Sequence, residues 1–144
     1  MTRAMVLAAL LLAGCSGGRE PEVTYYPVPG DRSLPFSEAV RVGHWLILSG
    51  ALGTDSTTAL VPGGIRAETR QALRNIAAVL ARHGSSLDRV VKCTAMLADM
   101  AEWGAMNEEY VTFFPRHLPA RSAFGATALA LGARLELECV ATVP

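Results

Sequence analysis

The chain has 144 residues, 51% of them hydrophobic, with 13 basic and 13 acidic residues and so no formal net charge. That length fits one domain with a core of its own. The balanced charge, without a basic stripe or a run of like charges, argues against a nucleic-acid binder and against an acidic or basic tail.

Met1 to Leu12 joins a basic start, Arg3, to an apolar run beginning at Ala4. The run is too short for a membrane-spanning helix and has the length of a secretory h-region. It ends in Leu12-Ala13-Gly14-Cys15, which resembles the bacterial lipobox, where cleavage exposes a cysteine for lipidation. Ser16 follows rather than the Asp of an inner-membrane retention signal. The expectation is a signal peptide over 1–14, lipidation of Cys15, and a protein anchored on the periplasmic side of a bacterial membrane, the outer one. Residues 15–34, with Gly17, Gly18, Pro21, Pro27, Pro29 and Gly30, read as a flexible tether.

The folded domain is expected over 35–144. Ala39-Val40-Arg41-Val42 and Trp45-Leu46-Ile47-Leu48 flank Gly43-His44 and predict a hairpin. Ser49-Gly50 is a small pair that lets backbone approach a neighbour. A helix is predicted over 66–83, with Leu73, Ile76, Ala77 and Leu80 facing a core and Arg66, Glu68, Arg70 and Arg74 outside, ended by Gly84. A strand follows over 89–97. Asp99 can cap a second helix over 100–114, whose Trp103, Met106, Tyr110, Phe113 and Phe114 read as core. Strands over 121–126 and 133–143 close the chain. In the last, Leu alternates with Glu136 and Glu138, so one face carries carboxylates. The order ββ-α-β-α-ββ makes an α+β domain, with both helices on one face of a mixed sheet and the other face left for self-association.

Cys93 and Cys139 are a pair that could bridge after export. Both lie in apolar strand-like runs, and they are read as buried free thiols. His44, His83 and His117 are expected at the surface, and no His, Cys, Asp or Glu spacing matches a metal site. Gly63-Gly64 lacks the Lys-Ser/Thr of a phosphate loop.

Seven segments, in order, resemble the reactive intermediate deaminase (Rid, YjgF-type) family. They are Pro35-Phe36-Ser37-Glu38-Ala39-Val40; Leu48-Ser49-Gly50; residues 68–75, from Glu68; residues 84–94, from Gly84; Met106-Asn107-Glu108-Glu109-Tyr110; Pro119-Ala120-Arg121-Ser122; and Leu135-Glu136-Leu137-Glu138. The resemblance implies a chorismate-mutase-like fold, a homotrimer, and a small-molecule cleft at each subunit interface. It implies hydrolysis of 2-imino and 2-enamino acids to 2-oxo acids and ammonia, without metal or cofactor. It assigns Arg121 to the substrate carboxylate, Glu136 to water and proton handling, and Phe36, Ser49, Gly50 and Asn107 to the pocket. Two departures bear on chemistry: Phe36 stands where the family usually has Tyr, and Ala123 where it often has Cys. Arg121 suits its role because a planar guanidinium can hold a carboxylate through two parallel bonds, which Lys cannot. The partners implied are a small imino, enamino or other carboxylate, two further copies of the chain, and a membrane through the lipid. The competing reading is a non-catalytic lipoprotein that binds small carboxylates, or a partner, on the same scaffold.

Overall fold

The computed structural model describes residues 20–144. The signal segment and Cys15 lie outside the described residues. Strands run over Val23–Pro27 (β1), Ser37–Val42 (β2), Trp45–Leu48 (β3), Ala51–Leu52 (β4), Val90–Leu97 (β5), Ala120–Gly125 (β6) and Leu135–Thr142 (β7), with helices over Gly64–Arg82 (α1) and Trp103–Tyr110 (α2). All seven strands form one mixed sheet in the order β1-β2-β3-β7-β5-β6, with β4 beside β7. Only β5 and β6 run parallel, and α2 lies in the connection between them.

The expected hairpin forms as β2 and β3, with Val42 opposite Trp45 and Gly43 at φ 56° in the turn. β1 corrects the expectation of a coil through 15–34. Val23-Thr24-Tyr25-Tyr26 is a β-branched and aromatic run, and it pairs antiparallel along β2. Its prolines do not prevent this, because Pro27 ends an edge strand and Pro29 falls beyond it.

α1 ends in a Schellman arrangement: Ser85 N–H donates to Leu80 O (2.8 Å) and Gly84 N–H to Ala81 O (3.3 Å), with Gly84 at φ 76°. Asp99 caps the start of the second helical segment by accepting from Ala101 N–H at 2.8 Å. Ile65, Ala72, Leu73, Ile76 and Leu80 of α1 and Met106 and Tyr110 of α2 pack on Leu46, Leu97, Leu135 and Leu137 of the sheet. Two expectations fail here. Trp103 heads α2 and is exposed rather than core. Glu68, expected outside, is buried, because its carboxylate accepts the Arg134 N–H at 2.8 Å at the entry to β7.

Cys93 and Cys139 are also corrected. They are directly opposed on β5 and β7, their Cα atoms are 4.1 Å apart, and they form a disulfide beneath the helices. Each run alone looks like a buried strand; only the register between strands 46 residues apart brings the sulfurs together.

The second face of the sheet carries no element of this chain among the described residues. Tyr25, Val40, Ile47 and Val140 are neighbours in register across it. Tyr25, Trp45, Ile47 and Phe124 are 67%, 50%, 45% and 49% exposed, so a large apolar surface remains in contact with water.

Candidate functional site

Arg121 lies on β6, the edge strand, in parallel register with Cys93. Cys93 faces the helices, so Arg121 does too. Its Nη2 donates to Asn107 Oδ1 at 2.5 Å, its Nη1 lies 3.7 Å from Met106 Sδ, and its guanidinium carbon sits 4.6 Å from the centroid of the Tyr110 ring. Tyr110 tilts against Phe114 at 4.8 Å. The Tyr110 hydroxyl is buried and has no hydrogen-bond partner among the described residues. Burial pushes that phenol up to about 12, partly opposed by the charge of Arg121. Among the described residues, Arg66, Arg70, Arg82, Arg116 and Arg134 pair with carboxylates; Arg121 does not, and neither do Arg32, Arg41, Arg74 and Arg89.

Glu136 is placed differently. β7 alternates strictly, with Leu135, Leu137 and Cys139 buried toward the helices and Glu136 half-buried on the open face. Glu136 opposes Leu52 across β4 and Met96 across β5. Its carboxylate lies against Gly50: a Cβ built there would overlap the carboxylate oxygen and come within 2.9 Å of its carbon. Only glycine lets the chain pass so close to the acid. Ser49 is fixed beside it, its Oγ donating to Ser37 O at 2.6 Å and its N–H to Glu38 O at 3.1 Å. Phe36, Ser49 and Gly50 share a cavity of about 210 Å³ with Val28, Leu34 and Leu48.

The candidate residues therefore form two groups. Phe36, Ser49 and Gly50 line one cavity near the break between β3 and β4, and Glu136 lies against Gly50 there. Arg121 and Asn107 meet on α2 and β6. Within one chain the pair Arg121 and Glu136 is not brought together. Arg121 lines up with Cys93 and Cys139, and Glu136 is an odd number of residues from Cys139. A period of two then puts the cation and the acid on opposite faces of the sheet, with β5 between their strands.

Sequence reasoning missed two features. Tyr110 reads from the sequence as plain core, although the helical spacing that brings Asn107 to Arg121 also brings Met106 and Tyr110. Glu38, which no local signal marks, joins β2 to the end of α1. Arg82 donates to it at 2.5 and 3.3 Å, and His83 Nε2 lies 2.8 Å away with its ring stacked on Tyr26 at 4.0 Å. His83 is thus part-buried against β1, not a surface residue. Burial pushes the Glu38 carboxyl upward, but hydrogen bonds and charge from Arg82 and His83 outweigh it and hold the group below its ordinary value. A larger groove of about 740 Å³ runs from Gly50 along Gln71, Asn75 and Arg82. Asn75 donates to Leu52 O and Thr54 O, Gln71 to Asn75, and Arg82 to Glu38, so those three side chains are engaged within the fold.

A mixed sheet with two helices matches the solved structures of YjgF/L-PSP proteins. The chain belongs to this family: the model described as Endoribonuclease L-PSP matches residues 31–143. Among curated relatives, the 2-iminobutanoate/2-iminopropanoate deaminase of Mus musculus is 44% identical over 108 residues, covering 74% of this chain and 80% of that one. The protein of the same name from Homo sapiens is 41% identical over 108 residues, covering 74% and 79%. Among solved structures, RidA from an Antarctic Psychrobacter superposes with a TM-score of 0.73 at 34% identity, covering 77% of this chain and 90% of that one. Imine deamination is therefore an activity carried by named relatives in this family.

Proposed function

We propose that this protein hydrolyses 2-imino and 2-enamino acids to 2-oxo acids and ammonia in a cleft completed by a second copy of the chain, within a homotrimer. The observation that carries the reading is Arg121: a half-buried guanidinium, fixed by neutral partners, with no carboxylate neighbour among the described residues. Such a group keeps its full charge for an anionic ligand. Glu136 faces the other side of the sheet, where exposed Tyr25, Trp45, Ile47 and Phe124 suit contact with another copy. Assembly would let the Arg121 group of one subunit face the Glu136 group of the next, as the separation of the two groups requires if they share a ligand.

The chemistry asked of such a site is modest. Arg121 holds the substrate carboxylate and so orients the imine. Water adds to the imine carbon; Glu136 takes a proton from it as the C–O bond forms. That proton passes to nitrogen to give a carbinolamine; its hydroxyl proton then moves to nitrogen as the C=O bond forms and the C–N bond breaks, and ammonia leaves a 2-oxo acid. An enamine enters the same route after protonation at carbon gives the imine. Phe36 supplies an apolar wall without the hydroxyl of the usual tyrosine, and Ala123 offers no thiol.

The reading extends to location. Leu12-Ala13-Gly14-Cys15 supports export and lipidation, and a disulfide between Cys93 and Cys139 suits an oxidising compartment. In the test, an amino-acid oxidase generates the imine and formation of the 2-oxo acid is followed. Wild type should accelerate it and Arg121→Ala should not. Saturable binding of a 2-oxo acid without acceleration would favour the non-catalytic carboxylate binder, the outcome that the changes at Phe36 and Ala123 make worth measuring.

A further inference from the structure

Arg121 owes its position to three uncharged contacts, and the largest of them is an aromatic face. Its guanidinium carbon lies 4.6 Å from the Tyr110 centroid, inside the range in which a ring quadrupole attracts a cation. Asn107 takes one N–H, and the Met106 thioether lies beside another nitrogen at 3.7 Å. A guanidinium carries five N–H groups, so most remain for a ligand. A carboxylate in place of the ring would hold the cation as well but would compete with an anionic substrate. The hydroxyl of Tyr110 adds nothing to this: it is buried and meets no partner among the described residues. Burying a hydroxyl unpaired is unfavourable, so the fold retains this side chain for its ring.

We propose that the ring of Tyr110 is a positioning residue for Arg121, a cation–π platform that holds the guanidinium ready for a carboxylate without neutralising it. This rests on the carboxylate-binding reading of Arg121 given above. The platform acts alike on bound substrate and transition state, so its loss should raise KM and leave kcat nearly unchanged. It also separates ring from hydroxyl. Tyr110→Phe keeps the face and removes an unpaired polar group, so it should bind as wild type and be at least as stable.

The experiment measures the Kd of 2-oxobutanoate by calorimetry, and KM and kcat with the oxidase-generated imine. The panel is wild type, Tyr110→Phe, Tyr110→Leu, and a series with 4-fluoro-, 3,5-difluoro- and 3,4,5-trifluorophenylalanine at position 110. Fluorine drains the ring's negative face with little change of shape. Affinity should fall stepwise along the series and by about three- to tenfold in Tyr110→Leu. The effect should vanish in an Arg121→Gln background. Equal affinity across the fluorinated series, or a loss in Tyr110→Phe alone, would overturn the platform. Should Tyr110→Leu not fold, the fluorinated series carries the test. The side-chain NMR signals of Arg121 report the platform without any ligand. Slow guanidinium rotation in wild type and Tyr110→Phe, faster with trifluorophenylalanine, is the expected result, and no difference would overturn it. A wild type that shows this dependence yet neither binds 2-oxobutanoate nor hydrolyses the imine would overturn the site reading and leave the platform standing.

Discussion

The bond between Cys93 and Cys139 makes a claim on stability that can be worked from the fold. It closes a loop of 46 residues, from the middle of β5 to the middle of β7. In the chain-entropy account, closing a loop of that length removes about 14 cal/mol/K from the unfolded ensemble, or about 4 kcal/mol at 25 °C. Both cysteines are buried at the centre of the sheet, so reductant reaches them only when the chain opens. The protein would therefore be unfolded in denaturant with and without reductant, refolded in each condition, and melted in urea. With a slope of about 2 kcal/mol per M, usual for a small domain, the oxidised form should unfold about 2 M later. Thiols counted after denaturation without reductant should include neither Cys93 nor Cys139. Coincident urea curves, or both thiols titrating freely, would refute the reasoning and restore the pair to buried free cysteines.

Three further outcomes follow from particular contacts. Gly50→Ala introduces a Cβ where the Glu136 carboxylate sits; the acid must move by about 1 Å, and kcat/KM for the imine should fall about 100-fold with little change in melting temperature. Glu68→Ala leaves the part-buried Arg134 N–H without its acceptor and should cost about 1 kcal/mol in urea unfolding, whereas a surface change such as Arg74→Ala should cost little. Glu38→Gln removes a carboxylate whose native pKa lies below its ordinary 4.5. The stability that Glu38 contributes is then complete above that ordinary value and is lost as pH falls through the lowered native one. Wild type should exceed the variant at pH 7, and the gap should close in acid; a gap that widened on acidification would contradict the Arg82 and His83 contacts.

Local pattern went far in this chain. The alternation of Leu135, Leu137 and Cys139 with Glu136 and Glu138, the Gly43 turn, the 3.6-residue stripe of α1 and its glycine stop are statements about near neighbours. The structure bears them out because backbone sterics and periodicity act over a few residues. Where local signals misled, a distant partner decided. Glu68 sits among charged residues along the helix, and only the Arg134 N–H just before β7, which its carboxylate accepts, explains its burial. β1 is dotted about with Pro and Gly, yet a free edge on β2 was available to it. His83 looks like a helix-end surface residue until Tyr26 and Glu38 close around it.

The two residues at the centre of the functional reading divide in the same way. From sequence, each could be marked: Arg121 by its motif, and Glu136 by the family resemblance, since alternation alone does not separate it from Glu138. What sequence by itself determined was the kind of group at each position and the face of the local strand it would share with its neighbours. Which faces those were relative to one another depended on register across three strands, β6 to β5 to β7. Register is set by pairings between residues far apart in the chain, and a shift of one residue reverses every side chain. Only the tertiary structure could therefore put Arg121 on the helix side over Tyr110, and Glu136 on the open side against Gly50.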